Sequence, residues 1–148
     1  KIRVATLLDI PQLVQFGAEF IKESPNYQGR EYCHDQAAIH FTKLIKGAGV
    51  IFLAEYDGQM CGGFAGGIGS DWFNQQKVAY DYVMYVQPKF RKTRAAYMLI
   101  KSFIGWSRLM GAHRIQCGTT TGVESKACIK LYKHFGFNEY GTVLDMEL

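Results

Sequence analysis

Between Tyr80 and Tyr97 the chain reads YDYVMYVQPKFRKTRAAY, and most of its plausible chemistry is concentrated there. Asp81 is a carboxylate inside an otherwise aromatic and aliphatic run. Burial raises a carboxylate's pKa and makes it a better proton acceptor near neutrality. The same residue could instead bind an ammonium group or close a salt bridge. Ten residues later come Arg91, Lys92 and Arg94, where the strand pattern gives way to a helical one. Unpaired N–H groups and the positive end of the helix dipole converge at such a junction. With basic side chains added, it suits an anion, most naturally a pyrophosphate. A solvated basic helix start is the alternative. Other candidates are poorer. Gly62–Gly69, GGFAGGIG, lacks the G-x-G-x-x-G spacing and leads into a loop, which fits a twisted strand with close backbone neighbours. Cys33-His34-Asp35 are adjacent and converge badly on one ion, while His40 and His134 have no partners at ligand spacing, so no metal site is expected.

The elements that must position these residues follow from periodicity. A strand is expected over Lys1–Leu7, then a helix capped by Asp9, with Pro11 in its first turn and Ile10, Leu13, Val14, Gly17 and Ile21 on one face. Ser24-Pro25-Asn26 ends it, and a polar, aromatic loop runs through Tyr32. A second helix is expected from an Asp35 cap to Lys46, stopped by Gly47. Val50–Tyr56 and Gln59–Gly69 read as a hairpin about Asp57-Gly58, and Lys77–Val86 as a third long strand. Helix Thr93–Met110, strand His113–Gly118, helix Glu124–Phe135 and terminal strands through Leu148 complete the order βααβββαβαββ. This is one mixed α/β (α+β) domain over residues 1–148, with a mostly antiparallel sheet flanked by helices. The strand–helix–strand step through Thr93–Met110 predicts a parallel pair.

In this setting the basic junction resembles a motif of the GNAT superfamily of acetyl-CoA-dependent N-acyltransferases. There a strand ending in a V-x-P turn precedes R-x-x-G-x-G/A, whose amides hold the pyrophosphate of coenzyme A. Val86-Gln87-Pro88 and Arg91-Lys92-Thr93-Arg94-Ala95-Ala96 occupy those positions, with Arg94 where glycine is usual. A second motif, N-x-x-A-x-x-L-Y-x-x-x-G-F, is similar to Ser125–Phe137, with Leu131, Tyr132, Gly136 and Phe137 matching and Ser125 and Cys128 replacing Asn and Ala. The Asp9-Ile10 helix start and Gly63-Phe64 agree more weakly. The resemblance spans nearly the whole chain in the right order.

The resemblance implies acetyl transfer to a primary amine by direct attack on the thioester of acetyl-CoA, without a metal. It assigns Arg91, Lys92, Thr93, Arg94, Ala95 and Ala96 to the phosphate cradle. It assigns the amides of Met84 and Val86, on a bulged central strand, to the pantetheine arm and thioester carbonyl. Tyr132 becomes the acid for the departing thiolate, since a phenol of pKa about 10 faces a thiol of about 8.5. A packed tyrosine at the end of a helix is the alternative. Ser125 either bonds the pantetheine or caps its helix. The base is open among Asp81, Glu55, Glu124 and water; Tyr80 stands near the family's usual base position but is a poor base at neutral pH. A catalytically weak module that binds coenzyme A or a macromolecule is the rival reading, motivated by Arg94.

Bulk properties are compatible with this. The 148 residues are 48% hydrophobic and 20% charged, which excludes a disordered chain. Net charge is +4 and unevenly spread: seven Lys and Arg against nine Asp and Glu up to Val86, ten against four after it. An anion therefore belongs in the C-terminal half. The four cysteines form no C-x-x-C pair and read as buried free thiols, in keeping with a cytoplasmic location. No apolar run is long enough for a membrane span, and no RNP-like or helix-turn-helix pattern supports nucleic-acid binding. The partner is expected to be a small-molecule or peptide amine, with a homodimer compatible. Its walls should be the loops Ser24–His34 and Ser70–Gln76 and the region of Tyr140, which offer Tyr27, Glu31, Tyr32, Asp71, Trp72 and Phe73.

Overall fold

The computed structural model describes residues 1–148. Its elements are β1 (Ile2–Val4), α1 (Ile10–Glu23), α2 (His34–Lys43), β2 (Gly49–Tyr56), β3 (Gln59–Ser70), β4 (Lys77–Val86), α3 (Ala95–Leu109), β5 (Arg114–Gln116) and α4 (Ser125–His134). The five strands lie in sequence order in one sheet. All neighbours are antiparallel except β4 and β5, which run parallel on either side of α3. The mixed, mostly antiparallel architecture is thus the one expected. The β2–β3 hairpin turns on Asp57 and Gly58, both at positive φ (51° and 73°), as a two-residue hairpin requires.

Alternating strand residues put apolar side chains on both faces. Val50, Phe64, Ala79 and Val86 join Leu99, Ile100 and Phe103 of α3 and Tyr132 of α4 on one side. Ile51, Leu53 and Ala65 join Leu13 of α1 and Phe41 of α2 on the other. The glycine run of β3 serves this packing. A Cβ on Gly66 would sit 2.3 Å from the Phe103 ring, so the missing side chain admits the aromatic.

Several local expectations are corrected. Asp9 does not cap α1 from outside; it lies at helical φ/ψ (−85°, −9°), ends a short 3₁₀ turn, and accepts the Thr6 amide at 2.8 Å in a capping box with Thr6. The Arg3 guanidinium adds two 2.8 Å bonds and pulls the Asp9 carboxyl down to about 2. Asp35 lies inside the first turn of α2, behind Cys33, and makes no cap bond. Cys61 is buried, but Cys33 is exposed. Beyond α4 the chain forms no strand. Leu144, Met146 and Leu148 keep the strand alternation, yet all three stand in solvent. A strand needs a partner ladder, and β5, the edge it would join, is three residues long. No helix is long and apolar enough to cross a membrane.

Candidate active site

Two irregularities open the sheet at one place. Ala65 pairs with Val83 and Gly66 with Asp81, so Tyr82 is an extra, unpaired residue that bulges β4. On the other edge β5 pairs only with Val78, Ala79 and Tyr80, leaving Asp81–Val86 without a neighbouring strand. The parallel strands part there, and a cleft of about 400 Å³ fills the gap, with that edge of β4 as one wall and α4 as another.

Asp81, Met84, Val86, Arg91, Ala96 and Tyr132 all line this cleft, which brings together residues up to 51 positions apart; Lys92, Thr93, Arg94 and Ala95 lie outside its wall. The Asp81 carboxylate receives the Gly118 amide at 3.3 and 3.4 Å. Burial pushes its pKa up to about 6, against the opposing pull of that amide. The Tyr132 ring meets Phe137 edge-on at 5.2 Å. Burial, with Cys117 and Asp81 nearby, raises the phenol well above its ordinary value. Burial and the nearby Asp81 carboxylate raise the Cys117 thiol, which favours its neutral form.

Arg91 is committed to structure. Its Nε donates to the Val86 carbonyl at 2.9 Å, its two terminal nitrogens grip Glu23 of α1, and Glu124 lies 3.4 Å away. It ties the turn after β4 to α1. The neighbouring turn leaves the amides of Lys92, Arg94, Ala96 and Tyr97 without hydrogen bonds inside the protein, while Thr93 Oγ1 accepts the Ala95 amide at 3.2 Å. Four free donors at the start of a 15-residue helix are an arrangement that suits an anion. Arg94 takes φ −84° and ψ 9°, which any residue adopts, and its guanidinium lies 4.8 Å from the Tyr97 ring centre. The turn therefore does not need glycine there for its backbone conformation. Ser125 begins α4 without a cap bond or a place in the cleft wall; Glu124 at φ 46° is the residue before the helix.

The acceptor walls differ from expectation. Trp72 and Phe73 stack edge-on against each other in solvent and line no part of the cleft; Asp71 is occupied by Asn74 at 3.1 Å. Tyr32 spends its hydroxyl on the Val14 carbonyl at 2.7 Å. Tyr27 does reach the cleft, where its hydroxyl shares a 2.6 Å bond with Thr120 Oγ1. Asn26 adds bonds to Thr120 and Thr121 carbonyls at 2.9 and 3.0 Å. This bridge and the Gly118 contact were not legible in the sequence, because they join segments more than 30 residues apart.

Known proteins share this fold. The model of the Acetyltransferase (GNAT) family matches residues 15–137. No curated protein matches the chain. Among solved structures, a predicted acetyltransferase from Clostridium acetobutylicum with acetyl-CoA superposes at a TM-score of 0.78, with 20% identity, over 99% of this chain and 95% of that one. AAC(6')-Iy in complex with a bisubstrate analogue, CoA-S-monomethyl-acetylneamine, gives 0.79 at 18% identity over 100% and 97%. A transcriptional regulator from Bacillus halodurans gives 0.77 at 18% over 100% and 99%. The fold and the family model together define an acetyltransferase. This chain belongs to the GNAT family.

Proposed function

We propose that the protein transfers the acetyl group of acetyl-CoA to a primary amine by direct attack on the thioester. The observation that carries this is the placing of a raised carboxylate, Asp81, and a buried phenol, Tyr132, on one cleft where β4 and β5 part. The residues present fit acetyl-CoA. The free amides of Lys92, Arg94, Ala96 and Tyr97 suit its pyrophosphate, and the unpaired edge at Met84 and Val86 offers backbone groups to its pantetheine arm. Acetyl-CoA supplies the activated acyl group; the chain supplies position and protons.

Asp81 accepts the proton that the amine must lose. With its pKa near 6 it is mostly ionised at pH 7 yet basic enough to take a proton, and the Gly118 amide steadies the carboxylate. Tyr132 holds its proton throughout the working range and delivers it to sulfur. The chemistry balances: an N–C bond forms, the C–S bond breaks, the nitrogen gives up one proton and the sulfur gains one. The steric motive for an inactive module weakens, since Arg94 turns over Tyr97 in an unstrained conformation. The test is thiol release from acetyl-CoA across an amine library, with Asp81→Asn and Tyr132→Phe as controls. Release that is independent of added amine, and unchanged in both variants, would refute the assignment.

A further inference from the structure

A second groove, of about 1390 Å³, opens beside the cleft. The two share Tyr27, Gly118, Thr119, Thr120 and Tyr132, so a molecule in the groove reaches the reacting end of the cleft. Its charge is unusual. Arg30, Arg108 and Arg114 line it, and none of the three has a carboxylate partner in the protein. Arg30 lies 4.9 Å from the centre of the Tyr27 ring and Arg114 5.4 Å from that of Tyr140, so aromatic faces support two of the guanidinium groups. Lys133, also on the groove, is neutralised by Glu139 at 3.3 Å.

Arg108 is poorly placed for the phosphates of coenzyme A. The free amides stand at the N-terminus of α3, whereas Arg108 is in its last turn. At 1.5 Å per residue the two ends are about 20 Å apart. Nor do the two openings suit a polycation. Their carboxylates are Asp81, Glu124, Glu139 and Asp145, of which Glu124 faces Arg91 and Glu139 faces Lys133. That leaves Asp81 and Asp145 against three unpaired arginines.

We propose that this groove admits the acceptor, and that the acceptor is a primary amine bearing an anionic group, a carboxylate or a phosphate, which Arg30, Arg108 and Arg114 hold. The proposal rests on the transferase reading above and narrows its substrate. Guanidinium forks match either oxyanion in paired hydrogen bonds. With its anion there, the acceptor's amine is directed toward Asp81 and Tyr132.

The experiment compares matched amines on the full chain by thiol release from acetyl-CoA. The pairs are tyrosine against tyramine and phosphoethanolamine against ethanolamine, with an aminoglycoside as the polycation. The anionic member of at least one pair should show kcat/KM at least tenfold above its neutral partner and above the aminoglycoside; which pair responds separates carboxylate from phosphate. Arg30→Ala and Arg114→Ala should each raise KM for the anionic acceptor about tenfold, the scale of a lost charged hydrogen bond, and leave the neutral amine within about twofold. Arg114→Lys should restore part of the loss. Melting curves with acetyl-CoA check that each variant is folded. Acetylation of neutral amines or the aminoglycoside as fast as anionic ones, or arginine variants without effect, would overturn the proposal while leaving the transferase standing. No release from any amine would overturn both.

Discussion

In the proposed reaction Tyr132 and Asp81 divide the proton traffic, and their surroundings bear on how. Tyr132 is 8% exposed, and its burial near Cys117 and Asp81 keeps its phenol protonated. Tyr132→Phe retains the ring packing on Phe137 and removes only the proton. Turnover should fall about 10²–10⁴-fold with acetyl-CoA affinity nearly unchanged, as separate measurements of kcat and cofactor binding would establish. Asp81 makes two predictions with a definite sign. As the base, it gives kcat/KM an acidic limb near pH 6 that Asp81→Asn removes or shifts. If only KM rises, the carboxylate holds the ammonium group instead. Its stability effect runs the other way. The folded pKa of about 6 exceeds that of an ordinary aspartate, about 4, so the folded state binds the proton more tightly. Charged Asp81 therefore destabilises the fold increasingly from about pH 4 to pH 6 and fully above it. Asp81→Asn should be the more stable protein at pH 7–8, by on the order of 2 kcal/mol, and the gap should close toward pH 4 in denaturant titrations.

At the scale of elements, the site exists because two strands stop pairing. The Tyr82 bulge and the short β5 expose the edge of β4, and α4 brings Tyr132 across it. Arg91 then fixes the turn after β4 to α1 through Glu23. That turn points four free amides outward and leaves the exposed Arg94 against Tyr97. A cation at a helix N-terminus is mildly unfavourable until an anion lies between them. Arg94→Ala should weaken coenzyme A binding by about 1–3 kcal/mol, less at high salt, as calorimetric titrations at two ionic strengths would resolve. Tighter binding by the variant would mean that the side chain obstructs the cradle.

For the whole molecule, the cleft touches α1, β4, α3 and α4, so a ligand there braces both helical layers against the sheet. Acetyl-CoA at about 100 times its Kd should add about 2.7 kcal/mol of stability. Thermal unfolding with and without millimolar acetyl-CoA reads this directly, and an unmoved Tm would contradict the cofactor assignment.

The sequence by itself determined the long strands, the hairpin at Asp57-Gly58, the parallel step through α3 and the family, since periodicity, turn chemistry and local motifs are properties of short stretches. Asp81 was legible for the same reason, as a carboxylate in an apolar run. Tertiary structure alone decided what each functional group faces. Arg91 reads as a phosphate ligand, and only the fold shows that it also pairs with Glu23, 68 residues away. Trp72 and Phe73 read as an acceptor wall until the connection between β3 and β4 carries them into solvent. Arg30, Arg108 and Arg114 carry no motif and gather only when the chain folds. The terminal segment has the alternation of a strand and forms none, because a ladder needs a partner edge that the alternating residues do not themselves encode.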